Sequence, residues 1–162
     1  MTANKTKVLA CATVIEEMLT MMPADYDYET LEFGLHVNPQ ALRVALQEAI
    51  DSASGTYDTL ILGYGFCSQA VVGLEAKNCT LVIPKVHDCI AIFLGSGDEY
   101  SRQAKQEPGT YYFTKGWIEV ADTPFHEYDQ VVEKYGKSRA DRFMQLLLKN
   151  YKRLAFINTG LK

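Results

Sequence analysis

Leu60-Ile61-Leu62-Gly63-Tyr64-Gly65-Phe66-Cys67 and its echo, Leu81-Val82-Ile83-Pro84-Lys85-Val86-His87-Asp88-Cys89, decide the fold. Each is a short apolar run that breaks into a turn ending in cysteine. A run of this length bounded by glycine or proline reads as a strand covered on both faces, the kind that builds parallel sheets. Parallel strands present their carboxyl ends to one side, so Cys67, His87 and Cys89 are expected on a common rim. Ligands of such sheets lie outside that rim, which makes it the expected working site.

Before this stretch, Lys7-Val8-Leu9-Ala10-Cys11-Ala12 reads as a first buried strand with Cys11 at its end, followed by a helix over Thr13 to Met22 that stops at Pro23. Leu31 to Val37 is expected as a second strand ending in His36. Asn38 as cap and Pro39 at the first helical position then open a helix. Its apolar face is Leu42, Ala45, Leu46, Ala49 and Ile50, and Gly55 lies at its stop. After Cys67, Ser68 to Ala76 is expected as a helix, Thr80 to Ile83 as a strand closed by Pro84, and Asp88 as the cap of a helix beginning at Cys89. Gly97 to Gln106 is a further helical piece. Thr110 to Thr114 is a β-branched and aromatic strand, with Gly116 to Glu119 a docking surface or lid behind it. Asp122 to Tyr135 carries no clear pattern. Ser138 with Asp141 is a capping signature for a helix to about Tyr151, and Arg153 to Gly160 reads as a last strand and its turn. Strands alternating with helices predict an α/β Rossmann-like layered fold, a mostly parallel sheet flanked by helices, as a single domain over residues 1–162.

Composition narrows the function classes. A chain of 162 residues, 48% hydrophobic, with net charge -4 and pI near 5.4, has no basic block, which argues against nucleic acid and acidic membrane surfaces as partners. Its apolar runs fall far short of the roughly 18 residues a membrane span requires. The polar start, Met1 to Lys7, does not resemble a secretory signal, so a cytoplasmic location is expected. Cysteines there are reduced and serve as packing groups, metal ligands or nucleophiles. A small molecule is the expected partner, and the sequence leaves room for a homo-oligomer.

Cys11, His36, Cys67 and His87-Asp88-Cys89 all fall at carboxyl ends of the expected strands, whereas Cys79 falls on the opposite rim as a packed or surface thiol. Cys67 and Cys89 each stand where a helix is expected to begin, and a helix amino terminus carries about half a positive charge that favours thiolate. Thiolates and a neutral imidazole are ligands that zinc and other transition metals prefer. Cys11, Cys67, His87 and Cys89 would make a Cys3His set, with His36, Tyr64 and Gly65 facing the substrate. If three bind, the open position takes water or substrate. In a second reading, Gly65-Phe66-Cys67-Ser68-Gln69 is a nucleophile elbow with cysteine in place of serine, in a metal-free enzyme with His87 or His36 as base, although Gln69 stands where the elbow needs a small residue. Asp88 is read first as a helix cap and second as an acceptor for His87. Trp117 and Tyr111-Tyr112-Phe113 are read as core, Glu16-Glu17 as a solvated helix face and His126 as exposed.

The series Ala10-Cys11, Leu35-His36 with Pro39, Leu62 to Cys67, Ile83 to Ile90, Gly95-Ser96, Pro108 to Tyr112 and Gly116-Trp117 resembles the uncharacterised domain family DUF1638. The resemblance runs from about Lys7 to Gly160. It implies no reaction. It implies kinship with proteins of anaerobic archaea and bacteria, and a third reading as a non-enzymatic accessory or ligand-binding module beside corrinoid methyl-transfer proteins. The Asp-x-His-x-x-Gly pattern of base-off cobalamin carriers is absent. It also implies that the chain is the N-terminal part of a longer family protein.

Overall fold

The computed structural model describes residues 4–67, 69–120 and 123–160. A four-stranded parallel sheet has the order β2-β1-β3-β4, formed by β1 (Thr6–Cys11), β2 (Asp27–Leu31), β3 (Thr59–Gly63) and β4 (Thr80–Val82). Val8, Leu9 and Ala10 are all buried. Successive strand residues point to opposite faces, so burial of all three means that both faces of β1 are covered, as the expected Rossmann-like α/β layering requires.

Helix α1 (Ala12–Met18) leaves β1 directly, with Cys11 at its cap position. Helix α2 (Pro39–Ala53) begins as expected, with the Asn38 side chain accepting from the Ala41 N–H at 3.2 Å. It buries Leu42, Leu46, Ala49, Ile50 and Ala53. Each fully buried leucine or isoleucine there contributes roughly 1.5–3 kcal/mol relative to exposure. Among the described residues, no helix is long and apolar enough to cross a membrane.

Two expectations fail between these elements. Phe33–Val37 is a short 3-10 helix, and the strand lies earlier, at Asp27–Leu31. His36 therefore stands on this short helix over the sheet's end. The helix expected over Ser68 to Ala76 does not form: Ser68 lies outside the described residues, and Gln69 to Gly73 run through turns. Cys67 and Gln69 take positive φ, 41° and 69°, and Gly73 sits at +82°, values that interrupt a right-handed helix.

Helices α3 (Cys89–Phe93) and α4 (Gly97–Gln106) follow β4, capped by Asp88 and Ser96. A second, two-stranded parallel sheet pairs β5 (Thr110–Phe113) with β6 (Arg153–Phe156). Between its strands run α5 (Lys115–Val120), α6 (Pro124–Tyr135) and α7 (Lys137–Leu147). Ser138 does not cap α7 as expected, because the helix begins one residue earlier, after Gly136 at φ 81°. The Asp141 carboxylate instead accepts from the Tyr128 hydroxyl at 2.8 Å, joining α7 to α6.

Glu17, expected on a solvated face, is buried at 5% exposure. Its carboxylate accepts from the Gly116 N–H at 2.9 Å and from the Thr159 hydroxyl. Helix α5 thereby packs on α1, which brings Trp117 to the carboxyl end of the main sheet.

Candidate functional site

The site begins with two turns bound to each other. Beyond the last paired residues of β3 and β4, the Phe66 N–H donates to the Val86 carbonyl at 2.8 Å and the Cys67 N–H to the His87 carbonyl at 3.0 Å. These bonds carry the pairing of the strands into their cysteine turns. Gly65 makes it possible: a Cβ there would lie 2.7 Å from both the Asp88 nitrogen and the Val86 oxygen. Gly65, expected to face a substrate, is instead buried against backbone and is not part of the cavity wall.

Between β1 and β3 the strand order reverses, because the chain passes from β2 across β1 to reach β3. At that switch point a parallel sheet leaves a crevice beyond its carboxyl ends. A cavity of about 340 Å³ lies there, walled by Cys11, Cys67 and Cys89, by His36 and His87, and by Tyr64. The sheet thus brings together the thiols and imidazoles that the sequence pointed to. Cys79 stays on the opposite rim, with its sulfur 3.8 Å from the Ser54 hydroxyl. All four cysteines are free thiols.

The cavity also has walls that the sequence reading missed, Glu32 and Phe33, and it takes Trp117 from the stretch expected as a docking surface or lid. Phe33 meets Trp117 edge-on at 5.5 Å and His36 at 4.4 Å. His36 Nδ1 bonds to the Phe33 carbonyl, which can only accept, so Nδ1 carries the hydrogen and the neutral ring keeps its Nε2 lone pair. Asp88 performs its structural role. One carboxylate oxygen accepts from the Ile90 N–H at 3.0 Å and the Ala91 N–H at 3.4 Å, and the other from the Tyr100 hydroxyl at 3.0 Å.

The thiols differ electrostatically from expectation. Burial pushes Cys67 up to about 11, against a hydrogen bond from the Gly65 backbone that lowers it, and Asp88 and Cys11 add to the rise. Burial likewise pushes Cys89 upward, reinforced by Cys11, Asp88 and Cys67. Among the described residues no helix follows Cys67 before β4. The helix behind Cys89 has five residues, and the Asp88 carboxylate occupies its first free N–H groups. The Tyr64 hydroxyl, buried among the same three sulfurs, is pushed up by burial first and then by the charges those sulfurs would carry. These groups are neutral at pH 7.

Among the described residues, no set of three or more His, Cys, Asp or Glu side chains is arranged to hold a metal ion. Cys11, Cys67, His87 and Cys89 share a cavity without forming the tetrahedral shell that their clustering suggested. His87 is exposed on its turn, its ring 6.2 Å from that of Tyr100.

A pH dependence follows from the raised thiols. The folded state holds their protons more tightly than the unfolded chain, so their contribution is complete below the unfolded value of about 8.5 and is lost as pH climbs through the folded one. Metal-free protein is expected to lose stability between about pH 9 and 11, read as a falling urea midpoint, with the fall reduced in Cys67→Ser. A midpoint that stays level over this interval would contradict the burial of the thiols.

A family model described as a protein of unknown function, DUF1638, matches residues 30–162. No curated protein and no solved structure matches the chain.

Proposed function

The chain belongs to the DUF1638 family, and for this member we propose a small-molecule-binding α/β domain whose thiol cavity takes up a transition metal, zinc foremost, on Cys11, Cys67 and Cys89, with His87 or a ligand as the fourth donor. One observation carries the reading: three free thiols that follow three different strands wall a single cavity, where burial first, and then Cys11 and Asp88, hold Cys67 and Cys89 in the thiol form. A divalent cation would offset the cost of charging buried sulfur, because metal-bound thiols are deprotonated outright. Binding would require the sulfurs to close inward, with His87 brought from its exposed turn as the fourth donor. If the fourth position stayed open, such a metal would supply Lewis-acid chemistry toward a bound small molecule or water. His36, with its free Nε2, stands in the same wall to accept a proton.

Zinc analysis of protein purified without added metal tests the proposal. Near-stoichiometric zinc, lost in Cys67→Ser, is the expected result. Because burial holds Cys67 and Cys89 protonated at pH 7, adding zinc to metal-free protein should also release about one proton from each of them. Protein that neither carries zinc nor takes it up would end the proposal.

The positive φ of Cys67 favours a second reading, since a nucleophile elbow holds its nucleophile on just such a strained turn. It requires Cys67 to be alkylated rapidly well below pH 8.5 in metal-free protein. The buried thiol is expected instead to react only as pH approaches 11, with zinc protecting it. An accessory role beside corrinoid methyl-transfer proteins is compatible with either chemistry and rests on the family alone.

A further inference from the structure

A second and larger cavity, an open groove of about 680 Å³, lies beside the thiol cavity and shares Phe33, His36 and Trp117 with it. Its wall joins three aromatic side chains, Phe33, Tyr111 and Trp117, to two carboxylates, Glu119 and Glu127. Among the described residues that line it there is no lysine or arginine, and its histidines are His36 and His126. The rings come from three elements, the 3-10 helix, β5 and α5, and Phe33 and Trp117 meet at 70° to form a corner. Trp117 Nε1 is buried, so the part of the indole left to the groove is carbon, the surface that attracts a cation. Lys115 holds Glu119 at 3.0 Å, whereas Glu127 makes no ion pair among the described residues. Burial raises the Tyr111 hydroxyl, and Tyr151 and then Glu127 raise it further, which sets the unpaired carboxylate near that ring.

An anion would meet two carboxylates in this groove and no lysine or arginine in the described wall. A bare ammonium would give up hydration that ring faces do not replace, since its N–H groups need acceptors. An ammonium whose hydrogens are replaced by methyl groups has no such need, and its charge rests on ring carbon. We propose that the groove binds a small quaternary ammonium ion, with its methyl groups against Phe33, Tyr111 and Trp117 and its charge facing Glu127. This site is separate from the metal chemistry of the thiol cavity and adjoins it through the shared wall.

Trp117 is the chain's single tryptophan, so its emission reports occupancy of the groove, and calorimetry checks it independently. The probes are choline, neohexyl alcohol, which has choline's shape without its charge, and ethanolamine, which has the charge without the methyl groups. Each is titrated at pH 8, where an ordinary imidazole is uncharged, into metal-free protein, so that the outcome does not depend on zinc uptake. Choline should bind saturably and about tenfold more tightly than either of the others. Glu127→Gln should weaken choline by about threefold and leave neohexyl alcohol unchanged, and Phe33→Leu should weaken choline by about fivefold. Glu133→Gln removes a charge from the same helix outside the groove wall and should leave choline affinity as it is. The assignment is overturned if choline does not saturate, if neohexyl alcohol or ethanolamine matches it, or if Glu127→Gln weakens it no more than Glu133→Gln does. Choline selection in a protein that takes up no zinc removes the metal alone, and zinc uptake without choline selection removes this site alone.

Discussion

Gly65→Ala is expected to lower stability by about 3 kcal/mol, at the upper end of what overpacking costs, and so to lower Tm by roughly 10 °C for a chain of this size. The added methyl would meet the Asp88 nitrogen and Val86 oxygen at 2.7 Å and the Asp88 Cα at 2.9 Å. All three are backbone atoms, which cannot swing aside as a side-chain tip can. Relief requires the turns after β3 and β4 to part, breaking the bonds from Phe66 to Val86 and from Cys67 to His87. Cys67 and Cys89 would then no longer face one cavity, so zinc uptake should fall together with stability. Gly34→Ala is the control, since nothing lies within 4 Å of its new methyl and its φ is not positive. Scanning calorimetry and zinc titration of the two variants make the measurement. A Gly65→Ala protein as stable as Gly34→Ala would mean that the two turns are not held in contact.

The parts of the fold legible in the sequence are those whose reason is local. Strands β1 and β3 are continuous apolar runs because they lie inside the sheet, and α2 carries its own cap and periodicity. Strand β2 was missed because it is an edge strand, where exposed Asp27 and Tyr28 break the apolar signal. The apolar Leu31 to Val37 stretch supplied a false strand. Ala70, Val71 and Leu74 have helical spacing, but that spacing could not reveal left-handed backbone at Cys67, Gln69 and Gly73.

The site follows the same division. Convergence of Cys11, Cys67, His87 and Cys89 on one cavity was legible because it needs only parallel strands and a cysteine at each end. Thiol ionisation runs against the expected sign, since burial outweighs the pull of a helix terminus, and at Cys89 the Asp88 carboxylate already takes the Ile90 and Ala91 N–H groups. Phe33 gives no sign of its place in the wall, and Trp117 gives one only as part of the Gly116 to Glu119 stretch. They arrive on a 3-10 turn and on a helix whose position is set by partners distant in the chain. Glu17 bonds to Gly116 across 99 residues and to Thr159 across 142, distances over which local pattern carries no information.

That dependence makes Glu17→Ala the second large effect. The carboxylate accepts two hydrogen bonds in a buried setting, and bonds to charged groups contribute about 1.5–3 kcal/mol each. Truncation loses both and leaves the Gly116 N–H buried without an acceptor. A total cost of about 3 kcal/mol is expected. Glu17→Gln, whose amide oxygen still accepts from Gly116, should cost about 1 kcal/mol. The loss should also be uneven. Val8 to Ala10 and Leu60 to Leu62 do not depend on the carboxylate, whereas α5 and the Ile157 to Gly160 segment are tied to α1 through it. Amide exchange in Glu17→Ala should therefore quicken first in Lys115–Val120 and residues 157–160, with Trp117 emission moving to longer wavelength as its indole loses cover. Uniform quickening across β1, β3 and α5 would mean that the carboxylate supports the whole fold and does not anchor the aromatic wall to the thiol-bearing sheet.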